Sequence, residues 1–240
     1  MKLIVLGDIH ANLPALEKCL AEARKEGYDR IFHSGDLVGY GPFPDEVIQF
    51  LRRAGIGGVR GNWDENVSCG GEDPGPIHGD PRLREAARIS YPWTVSNVNA
   101  ISRNVLGNLS FEQRFQEGGI SFALYHANPL DNTTYLYEDS DELTFREYAK
   151  ASEADVILFG HTHKHFHRQV RTHHFICVGS VGMPLDSDPR TGYTVIYTGN
   201  IGKGVDVNFR RFEYDVERVT RQFREQAIPN PYDALLSRTA

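Results

Sequence analysis

The order of apolar runs and helical patterns in the first quarter of the chain limits the fold more than any other feature of this sequence. Short continuous apolar runs, typical of buried strands, alternate with amphipathic segments typical of helices. Strands are predicted at 2–6, 30–34 and 55–59, and helices at about 14–27 and 44–55. This strand–helix alternation predicts parallel strands joined by crossover helices, which is the arrangement of an α/β fold.

The second half of the chain is richer in strands. Strands are predicted at 120–126, 155–159, 174–178, 192–198 and 205–214, and helices at about 141–150 and 215–226. We see no internal repeat and no linker between these elements and the first part of the chain. We therefore expect one domain that spans residues 1–240.

The middle of the chain differs in composition from both flanks. Residues 64–81 are rich in Gly, Pro and acidic residues, which indicates a long loop with a functional role. The sequence then favours helix up to about residue 109, and "SFEQ" at 110–113 matches a capping box that predicts another short helix. We expect a helical insertion or cap at about 64–118, which would help to select the substrate.

The composition excludes several classes of protein. The chain has 240 residues, 40% hydrophobic residues and a formal net charge of −6, so it can bury a core and is a poor candidate for binding nucleic-acid backbones. Three cysteines without a CxxC pattern are typical of reduced thiols in the cytoplasm. Polar residues interrupt the apolar N-terminus, and no apolar stretch has the length of a membrane span. We expect a cytoplasmic protein with no membrane partner.

Side chains that can bind metal ions follow five of the predicted strands. A glycine precedes them in four places, where it allows a sharp turn and a close backbone approach. These places are Gly7-Asp8-Ile9-His10, Gly35-Asp36, Gly61-Asn62 and Gly160-His161-Thr162-His163, and the fifth strand ends in His126. Ligands bind at the carboxyl ends of strands in α/β sheets, so the seven polar residues predict a metal site at one sheet edge.

The spacing and chemistry of these residues narrow the choice of metal. Asp8 and His10 are two residues apart, as are His161 and His163, so in an extended chain each pair points to the same side. Both residues of a pair could bind the same metal ion, or each residue could bind one of two adjacent ions. Imidazole, carboxylate and carboxamide ligands without thiolate suit Mn, Fe, Zn, Ni or Co, with Mn favoured, and argue against a structural zinc or calcium site.

The ordered motifs resemble those of the calcineurin-like metallophosphoesterases. The matching segments read "GDIH", "GDLVGYGP", "GNWD", "YHAN" and "GHTH", and they cover roughly residues 1–62 and 120–198. The sequence is most similar to the small bacterial, YfcE-like phosphodiesterase branch, because it also carries "DIHANLPAL" and "GSVGMP". The resemblance implies a four-layer α/β/β/α sandwich, here with a helical insertion.

The resemblance also implies a dinuclear metal site. One ion would be held by Asp8, His10 and His163, the other by Asn62, His126 and His161, and Asp36 would bridge both. Asp36, Asn62 and His126 would thereby take part in catalysis. The two ions would lie about 3.5–4 Å apart, and a hydroxide held between them would attack the phosphorus atom.

Residue 63 departs from the family pattern. Many members have a histidine after the metal-binding asparagine, paired with the following acid, to protonate the leaving group. Trp63 can donate a hydrogen bond from its indole but cannot deliver a proton. Two interpretations stay open: Trp63 covers the mouth of the site and excludes water or stacks on substrate, or it fills apolar space beneath the 64–81 loop. Asp64 would orient the loop instead of forming a catalytic pair.

Other polar residues are weaker candidates for the site. Asn12, Tyr40 and Asn128 follow motif residues and could contact substrate, although capping and packing are alternative roles. The residues that could replace the missing acid are His78, His165 and His167.

We interpret the sequence as a dinuclear-metal phosphoesterase that acts on a small phosphoester. A phosphodiesterase is favoured, because the missing acid penalises hydrolysis of alkyl monoesters. The alternatives are a phosphomonoesterase or protein phosphatase of the same fold, and a non-catalytic metal-binding scaffold like the retromer subunit that shares it. The sequence leaves the oligomeric state open.

Overall fold

Two β-sheets flanked by helices form the framework, a mixed α/β arrangement in four layers. A computed structural model describes residues 1–75, 77, 80–199, 204–226 and 228. The strands are β1 (Lys2–Leu6), β2 (Arg30–His33), β3 (Glu112–Glu117), β4 (Ile120–Tyr125), β5 (Val156–Phe159), β6 (His165–Val170), β7 (His173–Val178), β8 (Thr191–Thr198) and β9 (Val205–Phe212). The helices are α1 (Leu13–Glu26), α2 (Pro44–Ala54), α3 (Asn62–Cys69), α4 (Pro81–Asn97), α5 (Ala100–Gly107), α6 (Glu142–Ser152) and α7 (Val216–Glu225).

Both sheets are mixed, with parallel strands at their centres or at one edge. The four-stranded sheet has the order β2-β1-β8-β9, in which only β1 and β2 are parallel. The five-stranded sheet has the order β3-β4-β5-β7-β6, in which β4, β5 and β7 are parallel. The parallel strands carry the turns that lead into the polar motifs.

Alternating side chains divide the core into an inner layer and two outer layers. Leu3 and Val5 of β1 pack between the two sheets, whereas Ile4 and Leu6 pack against helices on the outer face. The same alternation in β5 sends Leu158 into the inner layer and Phe159 into the outer layer beneath α6. Because side chains on a strand point alternately to opposite faces, each fully buried strand joins two layers of core.

The first helix begins and ends as its sequence predicts. Asn12 accepts a hydrogen bond from the backbone N–H of Ala15 at 3.2 Å, and proline lies in the first turn. The helix ends at Gly27, whose φ of 72° lies in the left-handed region. This places the turn before α1, which contains His10, at the carboxyl end of β1.

The structure corrects three predictions for the connecting segments. Residues 55–59 form no strand, because the glycines in this segment supply few side chains to a sheet face. Only Gly58 and Val59 make isolated bridges. The predicted loop at 64–81 begins as helix α3, at whose N-terminus the backbone N–H of Gly61 donates to the Asp64 carboxylate. The predicted short helix after residue 110 is strand β3.

Strand β3 forms because a hairpin follows it. Gly118 and Gly119 have φ values of 58° and 78°, which fit a two-residue turn that pairs β3 with β4. The capping-box pattern is local and does not register this pairing. Strand β6 was also missed, and it pairs with β7 in a second hairpin. Helices α3, α4 and α5 therefore occupy most of the segment predicted as a helical insertion, and β3 occupies its end.

No helix within the described residues is both long enough and apolar enough to cross a lipid bilayer.

The inner layer should dominate stability. We predict that Leu158→Ala, at a side chain that is 0% exposed, lowers the free energy of unfolding by about 2–5 kcal/mol through lost burial and a residual cavity. Leu143→Ala is the matched control, since Leu143 is 66% exposed and should change stability by less than about 0.5 kcal/mol. Urea unfolding followed by circular dichroism measures both, and equal effects would contradict the assigned layer.

Candidate metal centre

Several residues of the polar motifs adopt a backbone conformation that is rare for their type. His10, Asp36, His161 and His163 have φ values of 46°, 48°, 63° and 58°. A non-glycine residue in the left-handed region costs about 1–3 kcal/mol, so the surrounding sheets must hold it in place. In each case this conformation turns the chain sharply just after a strand and directs the side chain towards a common point.

The first group of side chains comes from the turns after β1 and β5. His10 Nε2 and His163 Nε2 lie 3.0 Å apart, and His163 Nε2 lies 3.1 Å from Asp8 Oδ2. One oxygen of Asp36, Oδ2, lies 3.6 Å from His10 Nε2. Asp8, His10 and His163 are fully or almost fully buried, and their ligand atoms are close enough to share one ion.

The second group lies on the other side of Asp36. The Asp36 oxygen that lies near His10, Oδ2, is also 3.6 Å from His126 Nε2. His126 Nε2 in turn lies 2.9 Å from Asn62 Oδ1 and 3.2 Å from His161 Nδ1. All seven residues predicted as metal ligands are therefore brought together, with Asp36 between the two groups.

The protonation of the four histidines follows from the carbonyl groups behind them. The ring nitrogen of each histidine that faces away from the centre lies 2.9–3.1 Å from a backbone carbonyl oxygen. The pairs are His10 with Val38, His126 with Ser34, His161 with Thr133 and His163 with Met183. A carbonyl can only accept, so the outer nitrogens carry the protons and the inner nitrogens present lone pairs.

This arrangement places lone pairs opposite one another in a dry environment. The inner nitrogens of His10 and His163, 3.0 Å apart, have no proton to share between them. Burial lowers the pKa of His10 and of His126, and lowers the pKa of His161 to about 3, so these three rings stay neutral at neutral pH. A cation between the rings removes the repulsion, and the donor set of imidazole, carboxylate and carboxamide suits a divalent transition metal.

The carboxylates point to the same conclusion. Burial raises the pKa of Asp36 well above its usual range, and the charges of Asp8 and Asp64 raise it further. Asp8 accepts hydrogen bonds from Ser34 Oγ at 3.0 Å and from the backbone N–H of His161 at 2.9 Å. The ionised form of Asp36 is thus unfavourable at this position without compensation, and a divalent cation would supply that compensation.

Asp64 lies behind the centre and not in it. Its carboxylate accepts hydrogen bonds from the backbone N–H groups of Leu37 at 2.8 Å and Gly61 at 3.0 Å. These bonds tie the turn that carries Asp36 to the start of α3, which carries Asn62. The backbone N–H of Trp63 donates to Asp36 Oδ1 at 3.0 Å and strengthens the same connection.

Trp63 meets the conditions of both sequence interpretations. Its side chain lines the pocket over the centre, and it is also part of the core formed with Val67 and Tyr91. The indole is 3% exposed and packs so tightly against Gly39 that a Cβ atom there would lie 2.1 Å from it. Trp63 therefore forms a fixed apolar wall of the pocket.

Of the three remaining candidates for substrate contact, one reaches the pocket. Tyr40 lines it and packs edge-on against His10 with ring centroids 4.8 Å apart. Asn12 is fully buried, and its amide is used by the N-cap of α1 and by the carbonyl of Gly182. Asn128 is used within its own loop, where it accepts from the backbone N–H of Leu130 at 2.8 Å.

The proposed substitutes for the missing acid do not line this pocket where they are described. His165 packs between the sheets, where its ring is 4.8 Å from that of Phe209 and Nδ1 lies 3.1 Å from Asp186. His167 pairs with His174 at 2.9 Å on the neighbouring strand. His78 falls outside the described residues.

Several residues that complete the pocket were not predicted from the sequence. Tyr135 stacks on His161 with ring centroids 4.0 Å apart and an interplanar angle of 19°, which fixes the imidazole plane. The pocket is further lined by apolar residues, namely Ile77, Leu83, Met183 and Leu185. Tyr135 belongs to no motif of the sequence. Its place near the centre is evident only in the structure, where the carbonyl of Thr133, two residues earlier, contacts His161.

Comparison with known proteins places this geometry in context. A metallophosphoesterase from Sphaerobacter thermophilus has a similar structure, with a TM-score of 0.76 and 26% identity over 100% of this chain and 99% of the other. The hypothetical protein PH1004 from Pyrococcus horikoshii shares the fold, with a TM-score of 0.77 and 20% identity over 95% of this chain and 94% of the other.

Sequence comparison gives the same result. The uncharacterized protein MJ0912 from Methanocaldococcus jannaschii is 26% identical over 242 aligned positions, which cover 94% of this chain and 93% of that protein. The model of the calcineurin-like phosphoesterase superfamily domain matches residues 1–200, which include every residue of the centre. The protein therefore belongs to the calcineurin-like phosphoesterase superfamily.

Proposed function

We propose that this protein is a phosphodiesterase with a dinuclear metal centre. Asp8, His10 and His163 hold one divalent ion, Asn62, His126 and His161 hold the second, and Asp36 contacts both. The observation that carries this proposal is the set of inner histidine nitrogens, whose lone pairs converge on two positions either side of Asp36. Mn²⁺ is our first choice of metal, and Fe, Zn, Ni and Co fit the same donor set.

Each part of the pocket has a role in the proposed reaction. Divalent ions at such a centre supply Lewis-acid charge and lower the pKa of a water molecule. The backbone carbonyls orient the rings so that their inner nitrogens face the two positions, and burial keeps His10 neutral. The Asp36 carboxylate lies next to a histidine nitrogen of each group. Trp63, Leu83 and Met183 form an apolar rim that limits the access of water to the bound phosphoester.

The choice of a diester substrate follows from the missing acid. Trp63 occupies the position after Asn62, and no described residue of the pocket outside the proposed ligand set has a pKa near neutral pH. A phosphodiester carries less negative charge than a monoester dianion and makes a smaller demand on positively charged groups, which are absent from the lining described. The narrow pocket favours a small substrate over a nucleic-acid chain.

We also propose a cytoplasmic location. Cys19, Cys69 and Cys177 are free, and two of them are fully buried. Burial raises the pKa of the Cys19 and Cys177 thiols to about 12, so neither is a reactive thiolate. Unpaired cysteines of this kind are typical of a reducing compartment.

The metal content tests the centre directly. We predict that the protein binds about two Mn²⁺ ions per chain and that His163→Ala and His126→Ala each reduce this to about one. His173→Ala is the matched control, because His173 lies on β7 away from the centre with Nδ1 2.9 Å from the carbonyl of Ala154. Metal analysis after equilibrium dialysis, with circular dichroism to check folding, measures the content. One ion in the unsubstituted protein would contradict the assignment.

The substrate class is tested with two aryl esters. Metal-stripped protein reloaded with Mn²⁺ should hydrolyse bis-p-nitrophenyl phosphate with a higher kcat/KM than p-nitrophenyl phosphate. Both release the same phenol, so the acidity of the leaving group is the same in the two assays. Faster hydrolysis of the monoester would indicate a phosphatase, and metal binding without turnover of either ester would indicate a scaffold.

A further inference from the structure

The hydroxyl group of Tyr40 faces the metal pocket without a partner. The residue is 4% exposed and lines the pocket together with His10, Asp36 and Tyr135. Among the described residues, none accepts or donates a hydrogen bond at this hydroxyl. The hydroxyl oxygen is not among the fully buried atoms that lack a partner, so it stays open to the pocket, where a bound ligand can reach it.

The chain fixes Tyr40 at some cost. Its φ of 55° lies in the left-handed region, which is rare for a bulky side chain. The ring is clamped by two aromatic neighbours, with centroid distances of 4.8 Å to His10 and 4.6 Å to Trp63. The adjacent turn is held by a hydrogen bond from the backbone N–H of Gly41 to the carbonyl of His10 at 3.2 Å. Strain of this kind is found at sites where a side chain must be positioned in advance.

The Tyr40 hydroxyl is a hydrogen-bond donor at neutral pH. A phenol with an ordinary pKa of about 10 is already protonated at neutral pH. The group therefore offers an O–H in the pocket that Asp36 also lines.

We infer that Tyr40 donates a hydrogen bond to a non-bridging phosphoryl oxygen of the bound substrate. This inference rests on the proposed hydrolysis at the metal centre. The hydroxyl keeps its proton throughout, so Tyr40 stabilises the charge that grows on this oxygen and transfers nothing to the leaving group. It supplies the phosphate contact that a histidine at position 63 would otherwise make, but it does not supply the proton.

A leaving-group series separates this role from that of an acid. The substrates are methyl aryl phosphodiesters with p-nitrophenyl, m-nitrophenyl and phenyl leaving groups, assayed with the Mn²⁺-loaded protein. Tyr40→Phe should lower kcat by about 10²-fold, the effect typical of losing one such donor. The loss should be the same for all three esters, because the oxygen that is contacted does not leave.

Two outcomes would overturn the inference. A loss that grows as the leaving group becomes more basic would identify Tyr40 as a proton donor, and an unchanged kcat would show that it does not contact the phosphoryl group. Tyr28→Phe is the control, since Tyr28 is 36% exposed at the end of α1 and should leave all three rates unchanged. Thermal unfolding should show that Tyr40→Phe, which keeps the ring, folds normally.

Binding of orthophosphate keeps the inference testable if no ester is hydrolysed. Absence of hydrolysis would contradict the proposed function, but it would not test the hydrogen bond from Tyr40 to the phosphoryl oxygen. Calorimetric titration of the Mn²⁺-loaded protein with inorganic phosphate should then show binding that Tyr40→Phe weakens by about 10–100-fold, the range for one hydrogen bond to a charged group. Equal affinities of the two proteins for phosphate would overturn the inference independently of turnover.

Discussion

The cost of ionising the buried Asp36 carboxyl is the constraint on which the centre depends. This carboxylate lies 3.6 Å from a histidine nitrogen on either side, and burial raises its pKa. Ionised carboxylates are costly in a dry interior unless a cation or several donors compensate them. His10, His126 and His161 do not compensate Asp36, because burial lowers the pKa of each ring and keeps it neutral. The ionised centre therefore lacks compensating positive charge, which divalent ions can supply.

The two sheets make this buried centre possible. The left-handed turns at His10, Asp36, His161 and His163 are locally unfavourable, and each follows or adjoins a buried strand. Residues of the inner apolar layer, such as Val5 and Leu158, fix the strand ends and so offset the cost of the turns. Packing energy gained between the sheets thus maintains strain and buried charge at their edge.

The sequence predicted the polar residues of the centre better than it predicted their support. Asp8, His10 and the other motif residues could be found because glycine and polar residues follow apolar strands in a simple order. The carbonyl groups that set the histidine tautomers could not be found, because Val38 and Met183 act through their backbone and any residue type could do so. Strand β3 was missed for a similar reason, since its pairing with β4 overrides a local helix signal.

The close packing of Gly39 and Trp63 has a consequence for how such a site can change over time. The indole occupies the space that a side chain at position 39 would need, and it also holds the ring of Tyr40. The residues at positions 39, 40 and 63 therefore depend on one another, and a substitution at one position limits which residues the other two can accept. A histidine at position 63 would release the wall that clamps Tyr40, so the gain of an acid and the retention of a fixed hydroxyl oppose each other. Relatives would be expected to keep one arrangement or the other, with few viable intermediates between them.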